Sequence, residues 1–194
     1  MAKLYFKYGA MGSSKSAQAL ITKFNYEEKG MKVWLIKPSV DKRCGEYTVH
    51  SRIGLTADAT AIKESDDICK LFLDGFIEAD VIIADECQFF TARHIDALRT
   101  IVDEYSVPVL CFGLRTDFTT SLFDGSRRLF EIADSISEIK TICECGRKAT
   151  VNARLNAEGG IVTEGEKVLI GGNDFYEAMC YRCWKKKAAR SCAN

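Results

Sequence analysis

Short apolar runs alternate with amphipathic stretches along the first 140 residues. Leu4-Tyr5-Phe6-Lys7-Tyr8, Val33-Trp34-Leu35-Ile36, Val81-Ile82-Ile83-Ala84 and Val107-Pro108-Val109-Leu110-Cys111-Phe112 are short and rich in aliphatic and aromatic side chains. That is the pattern of strands buried on both faces of a sheet. Between them, Ser16 to about Lys29 reads as a helix stopped by Gly30. Thr60 to about Gly75 reads as a second helix, with Ile62, Ile68, Leu71 and Phe72 as its apolar members. Thr91 caps a third, which places Ile95, Leu98, Val102 and Tyr105 on one face. Pro38 ends the second run, and Pro108 suits the start of a strand. Gly113-Leu114-Arg115-Thr116-Asp117-Phe118 forms a loop before a helix around Ser126–Ala133. Strands alternating with helices predict a parallel α/β sheet with right-handed crossovers. The polar stretch Asp41–Arg52 reads as a loop past the end of a central strand, where open sheets of this kind bind ligands. A plain solvated loop accounts for those residues equally well.

After about residue 140 the alternation gives way to Gly- and Cys-rich sequence. A domain boundary belongs there, with residues 1–140 forming the α/β domain and 141–194 a smaller second one. Residues 146–179 read as a long loop tied down at both ends by cysteine pairs.

The first chemical signal is Gly9-Ala10-Met11-Gly12-Ser13-Ser14-Lys15-Ser16, set between a predicted strand and a predicted helix. Strand, Gly-rich turn, Lys-Ser, helix is the setting in which a P-loop holds a nucleotide. Backbone N–H groups point at phosphate oxygens, the Lys reaches the β- and γ-phosphates, and the Ser hydroxyl serves Mg²⁺. Ser14 occupies the position before the Lys where the pattern has Gly. If that position needs φ > 0, a Ser there costs about 1 kcal/mol. The bland alternative is a strand-to-helix turn capped by Ser13 or Ser14.

Composition narrows the classes. The chain has 194 residues, 47% apolar and 28% charged, with a formal net charge of zero. No basic field invites nucleic acid, and no apolar run approaches the ~20 residues that span a bilayer. The N-terminus enters a strand pattern without the features of a signal peptide, which predicts a cytoplasmic protein. Nine cysteines in such a compartment point to metal binding and burial rather than disulfides. Cys143-Glu144-Cys145-Gly146 and Cys180-Tyr181-Arg182-Cys183 are two close pairs, suggesting a structural four-thiolate Zn²⁺ site with no open position for catalysis. Four reduced thiols, two of them packed, is the alternative. Cys44, Cys69, Cys87 and Cys111 lie in or near apolar runs and read as packing residues; nothing assigns Cys192.

The strand Val81–Ala84 runs into Asp85-Glu86. Neighbouring residues point to opposite sides of a strand, so the two acids serve different ends. Asp85 suits the Mg²⁺-associated Asp of P-loop proteins, and Glu86 can accept a proton from a hydroxyl attacking the γ-phosphate.

These motifs, with Pro38-x-x-Asp41-x-Arg43, Asp85-Glu86-Cys87-Gln88-Phe89-Phe90, Lys140-Thr141-Ile142-Cys143-x-Cys145-Gly146-Arg147-Lys148-Ala149 and Ile170-Gly171-Gly172-Asn173-Asp174-x-Tyr176 in order, resemble the zinc-containing, cytosolic-type thymidine kinases, especially the bacterial branch. The resemblance runs over nearly the whole chain. It implies a P-loop (RecA-like) parallel sheet flanked by helices, with a small C-terminal zinc-ribbon and lasso domain that closes over the nucleoside. It implies transfer of the γ-phosphoryl of ATP to the 5′-hydroxyl of thymidine or deoxyuridine, salvage of DNA precursors, feedback inhibition by dTTP and a homotetramer. Residues Gly9 to Ser16, Asp41, Arg43, Asp85 and Gln88 would serve ATP and Mg²⁺, with Glu86 as general base. Met11, Phe89, Leu114, Phe118 and Phe123 would surround the thymine ring. Lys167, Leu169, Ile170, Gly171, Gly172 and Tyr176 would be the lasso's nucleoside-side positions, and Cys143, Cys145, Cys180 and Cys183 the zinc ligands. Two other readings stand beside this one: a P-loop NTPase whose acceptor is water, and a non-catalytic module built on the zinc ribbon. The aromatic residues near the strand ends count against the first, and the neutral charge and intact Glu86 against the second.

Overall fold

The computed structural model describes residues 1–42, 45–165 and 175–191. The chain opens with strand β1 (Leu4–Tyr8), helix α1 (Lys15–Glu27) and strand β2 (Val33–Pro38). A hairpin of β3 (Thr48–His50) and β4 (Thr56–Asp58) follows, then β5 (Thr60–Ile62) and the short helix α2 (Ile68–Leu71), continued by one π turn, Phe72–Phe76. Next come β6 (Val81–Ala84), α3 (Ala92–Tyr105), β7 (Val109–Gly113), α4 (Asp124–Ile132) and β8 (Ser135–Glu138). The C-terminal part consists of β9 (Val151–Leu155), β10 (Ile161–Val162), β11 (Tyr176–Met179) and α5 (Tyr181–Ser191).

Among the described residues the main sheet has six strands in the order β5-β2-β6-β7-β1-β8, all parallel. Alternation along each strand sends side chains to opposite faces. Leu4, Phe6, Trp34, Ile36, Ile82, Ala84 and Val109 join Ile95, Leu98 and Leu129 in one core, against α3 and α4. Leu35, Val81, Ile83, Leu110 and Phe112 join Ala19 and Leu20 of α1 in the other. The expected cap of α3 is present: the Thr91 hydroxyl accepts from the His94 N–H while the His94 ring accepts from the Thr91 N–H. Tyr105, expected on the buried face of α3, stays 38% exposed and packs edge-on against Phe72.

Three expectations need correction. Residues 60–75 are not one helix. Thr60–Ile62 pairs with Ile36–Pro38 as the sheet's edge strand, and the helix begins only at Ile68, capped by the Asp67 carboxylate accepting from the Lys70 N–H. β-Branched Thr60 and Ile62 suit an edge, and that tertiary pairing outweighs the helical spacing of the apolar residues. The polar stretch up to Arg52 is not all loop, since Thr48–His50 pairs antiparallel with Thr56–Asp58. Residues 146–179 are not a structureless loop either. β9 is the centre of a three-stranded antiparallel sheet, flanked by β10 and β11.

Candidate functional site

Parallel strands end together, so the loops after β1, β2 and β6 converge at one edge of the sheet. The turn after β1 is shaped by close approach. A side chain at Gly9 would lie 2.4 Å from both the Ile139 carbonyl and the Ser13 hydroxyl, and Gly12 adopts φ +71°. Ser14 itself has φ 62°, the left-handed conformation, and caps α1 with its backbone alone. The side-chain cap considered for Ser14 is therefore absent, and the backbone has the φ > 0 that favours Gly there. Lys15 is buried, and its Nζ donates to the Ala10 carbonyl at 2.8 Å and to Ser13 Oγ at 3.3 Å.

Asp85 is 4% exposed. Burial, then the neighbouring Glu86 charge, pushes its carboxyl up to about 7, against a hydrogen bond with Ser16 and the charge of Lys15. Glu86 follows with φ 50°. Its Oε2 accepts from Gln88 Nε2 at 2.5 Å, while Gln88 Oε1 accepts from the Leu114 N–H at 2.9 Å. A cavity of about 280 Å³ brings together Met11, Gly12, Ser14, Lys15 and Ser16 of the P-loop with Asp41, Asp85, Glu86 and Leu114. The β3–β4 hairpin, through His50, Ser51 and Arg52, lines the same cavity.

The apolar candidates do not all line that cavity. Phe89 and Phe123 meet edge to face, with ring centroids 5.5 Å apart, and border a second cavity of about 550 Å³ beside Gln88 and Pro38. Phe118 is buried beneath Arg154, whose guanidinium carbon stands 3.9 Å from its ring centre. The same Arg154 donates from Nε and Nη2 to the Tyr176 hydroxyl at 2.9 and 2.7 Å. Arg43, Lys167, Leu169, Ile170, Gly171 and Gly172 lie outside the described residues, as do Cys44 and Cys192.

Two residues that the sequence reading missed join the parts. Asn152 Oδ1 accepts from the Met11 N–H at 2.8 Å and Asn152 Nδ2 donates to the Thr116 carbonyl at 2.7 Å, tying β9 to the P-loop and to the loop after β7. Arg154 stands on the same face of β9, two residues on. Polar residues at alternate positions among Val151, Ala153 and Leu155 were the available signal: one face of this strand is polar, yet Asn152 and Arg154 are 2% and 5% exposed.

The sulfur atoms of Cys143, Cys145, Cys180 and Cys183 lie within 4.8 Å of one another, with Cys145 and Cys180 at 3.7 Å. Thiolates at about 2.3 Å around a tetrahedral zinc stand about 3.8 Å apart, so the four could hold that ion. The turn at Gly146 closes the first pair, with the Cys143 N–H donating to the Arg147 carbonyl and the Gly146 N–H to that of Cys143. The N–H of Cys183, donated to its sulfur, holds the Cys180 thiol down to about 7, whereas hydrogen bonds with Cys145 and then Cys180 push Cys183 up to about 12.

Comparison with known proteins decides the family. The family model "Thymidine kinase" matches residues 2–184. The chain belongs to the thymidine kinase family. A thymidine kinase of Shewanella oneidensis is 43% identical over 188 residues, covering 96% of this chain and 98% of that protein. That of Legionella pneumophila is 45% identical over 192 residues, 97% and 92% of the two chains. That of Yersinia pseudotuberculosis is 41% identical over the full length of both. Among solved structures, the Pif1 helicase from Candida albicans aligns over 73% of this chain and 36% of its own, with a TM-score of 0.44 at 15% identity. Within the thymidine kinase family, this chain is an enzyme with a P-loop on a parallel sheet and a cysteine cluster suited to zinc. None of its described helices is long and apolar enough to cross a membrane.

Proposed function

We propose that the enzyme transfers the γ-phosphoryl group of ATP to the 5′-hydroxyl of thymidine or deoxyuridine, giving the monophosphate and ADP. The observation that carries this reading is a cavity shared by Lys15, Ser16, Asp85 and Glu86. Lys15 would turn from the Ala10 carbonyl to the β- and γ-phosphates. Glu86 would accept the hydroxyl proton as the 5′-oxygen bonds to γ-phosphorus, and the bond from phosphorus to the β–γ bridging oxygen would break. Gln88 would hold Glu86 in place through its amide N–H. The hard oxygen donors of Ser16 and Asp85, with Asp41 near, suit Mg²⁺, which when bound supplies charge neutralisation on the β- and γ-phosphates. Met11 and Leu114 would face the nucleoside, with Phe89, Phe118 and Phe123 forming the apolar ground around the base.

In this reading residues 1–140 act as the nucleotide domain, and residues 141–194 as a zinc-bound lasso that closes over the nucleoside and excludes water as a competing acceptor. Tyr176, whose hydroxyl accepts from the Arg154 that stands over Phe118, would anchor the near end of that lasso. Salvage of DNA precursors in the cytoplasm, inhibition by dTTP and a homotetramer complete the proposal.

The test incubates purified, zinc-replete protein with Mg-ATP and each of the four common deoxynucleosides plus deoxyuridine. Monophosphate confined to thymidine and deoxyuridine supports the reading, and ATP hydrolysis without nucleoside product replaces it with an NTPase. Glu86→Gln is expected to lower kcat at least 100-fold, the scale of a lost general base, while nucleotide binding is spared. Near-full turnover in that variant would remove Glu86 as the base.

A further inference from the structure

Lys37 closes an apolar strand at a position that sequence alone would leave to solvent, yet it is 1% exposed. A buried ammonium is costly unless its protons find partners. This one pairs with Asp41 Oδ2 at 3.2 Å and donates to the Gly45 and Thr48 carbonyls at 3.2 and 3.0 Å. All three acceptors lie between residues 41 and 48, so the lysine draws the segment after β2 back onto the sheet and fixes where β3 starts. Beyond β3, buried Ser51 sets the turn. Its N–H donates to the Leu55 carbonyl at 2.8 Å, its hydroxyl accepts from the Leu55 N–H at 2.9 Å, and its carbonyl accepts from the Gly54 N–H at 3.0 Å.

That turn presents Arg52 to the P-loop. Arg52 Nη1 stands 3.9 Å from where a side chain on Gly12 would begin, and Arg52 lines the same cavity as Lys15, Ser16 and Asp85. Its side chain is exposed, and no carboxylate among the described residues pairs with it. A guanidinium aimed at a phosphate-binding turn, with its planar fork of donors, matches phosphate oxygens. Resting on the kinase reading above, we propose that Arg52 is a further phosphate-contacting cation, in the same cavity as Lys15, and that buried Lys37 is the positioning residue that holds its hairpin there.

The test compares wild type with Arg52→Ala, Arg52→Lys, Lys37→Met and the Lys37→Met/Arg52→Ala double variant. Mg-ADP is titrated into each by calorimetry, and KM is measured separately for ATP and thymidine. Because Arg52 is exposed, its variants should melt with wild type. Arg52→Ala is expected to weaken Mg-ADP and raise KM for ATP by about 10- to 100-fold, the range of a hydrogen bond to a charged group. KM for thymidine should stay within about twofold, and Arg52→Lys should recover part of the loss. Lys37→Met should show the same one-sided loss, and the double variant should fall well short of the product of the two single effects. If Lys37→Met does not fold, Ser51→Ala loosens the same hairpin more mildly and should raise KM for ATP alone. Wild-type Mg-ADP affinity in Arg52→Ala would overturn the contact. Fully multiplicative losses in the double variant, or equal rises in both KM values, would overturn the positioning role. Wild-type protein that binds Mg-ADP but phosphorylates no nucleoside would fail the kinase reading while leaving the Arg52 comparison intact.

Discussion

The six-stranded and the three-stranded sheet of this protein are ordered by different means. The six-stranded sheet buries a full face on each side, under α3 and α4 on one and α1 on the other. Its site residues stand on turns where the strands end, held by backbone geometry and by short bonds such as those of Lys15 and Gln88. Among the described residues the three-stranded sheet has a small core, in which Cys143 and Cys180 pack with Ala149, Ala153, Ile161 and Met179. Fixing each residue costs about 1–2 kcal/mol of backbone entropy. A zinc ion, which the four thiolates could hold, would offset part of that cost. On the proposed reading the contrast also divides the labour: the large sheet would supply the phosphate chemistry, and the small one the part that closes over the nucleoside.

Metal removal gives the widest test of that contrast. If the four thiolates hold zinc as proposed, stripping it with a chelator removes binding energy on the order of 10 kcal/mol from the small sheet, and Cys180→Ser removes part of it. Amide exchange should become fast over residues 151–155 and 176–179 while residues 81–84 and 109–113 stay protected, and thymidine phosphorylation should vanish. Protection of both sheets after complete metal removal would erase the distinction.

The joint between the regions comes next. Asn152→Ala leaves the Met11 N–H and the Thr116 carbonyl without their partner, and an unsatisfied buried group costs about 1–3 kcal/mol. Denaturant melts should show that loss, and kcat/KM should fall because the P-loop and the small sheet are no longer tied. An unchanged melt would mean that the regions meet without depending on this residue.

Ser14→Gly should have the smallest effect. Relief of the left-handed strain at φ 62° is worth about 1–2 kcal/mol, less the added chain entropy of Gly. A gain of about 0.5–1 kcal/mol in thermal stability and a modest rise in Mg-ADP affinity are expected. A loss of affinity would show that the serine hydroxyl contributes more than its backbone costs.

The P-loop and the acidic pair were readable in the chain because their signals are local. A strand, a Gly-rich turn, Lys15-Ser16 and a helix occur within about two dozen residues, and Asp85-Glu86 follows directly on the apolar run Val81–Ala84. The cysteine pairs were equally plain, since the spacing within each pair is itself the signal. The hidden parts depend on distant partners. Thr60–Ile62 is a strand because β2 offers it an edge. The hairpin after Asp41 forms over a lysine whose burial its own neighbours do not reveal.

Sequence by itself therefore determined the α/β class, the P-loop, the acidic pair and the four-cysteine cluster, all patterns written in consecutive or closely spaced residues. Only tertiary structure decided that Asn152 ties the C-terminal sheet to the P-loop, that Arg154 joins Tyr176 to Phe118, and that Lys37 is buried beneath the hairpin bearing Arg52. Those roles arise where a polar side chain loses water and must find its partners across the fold, and chain order does not encode which partners arrive.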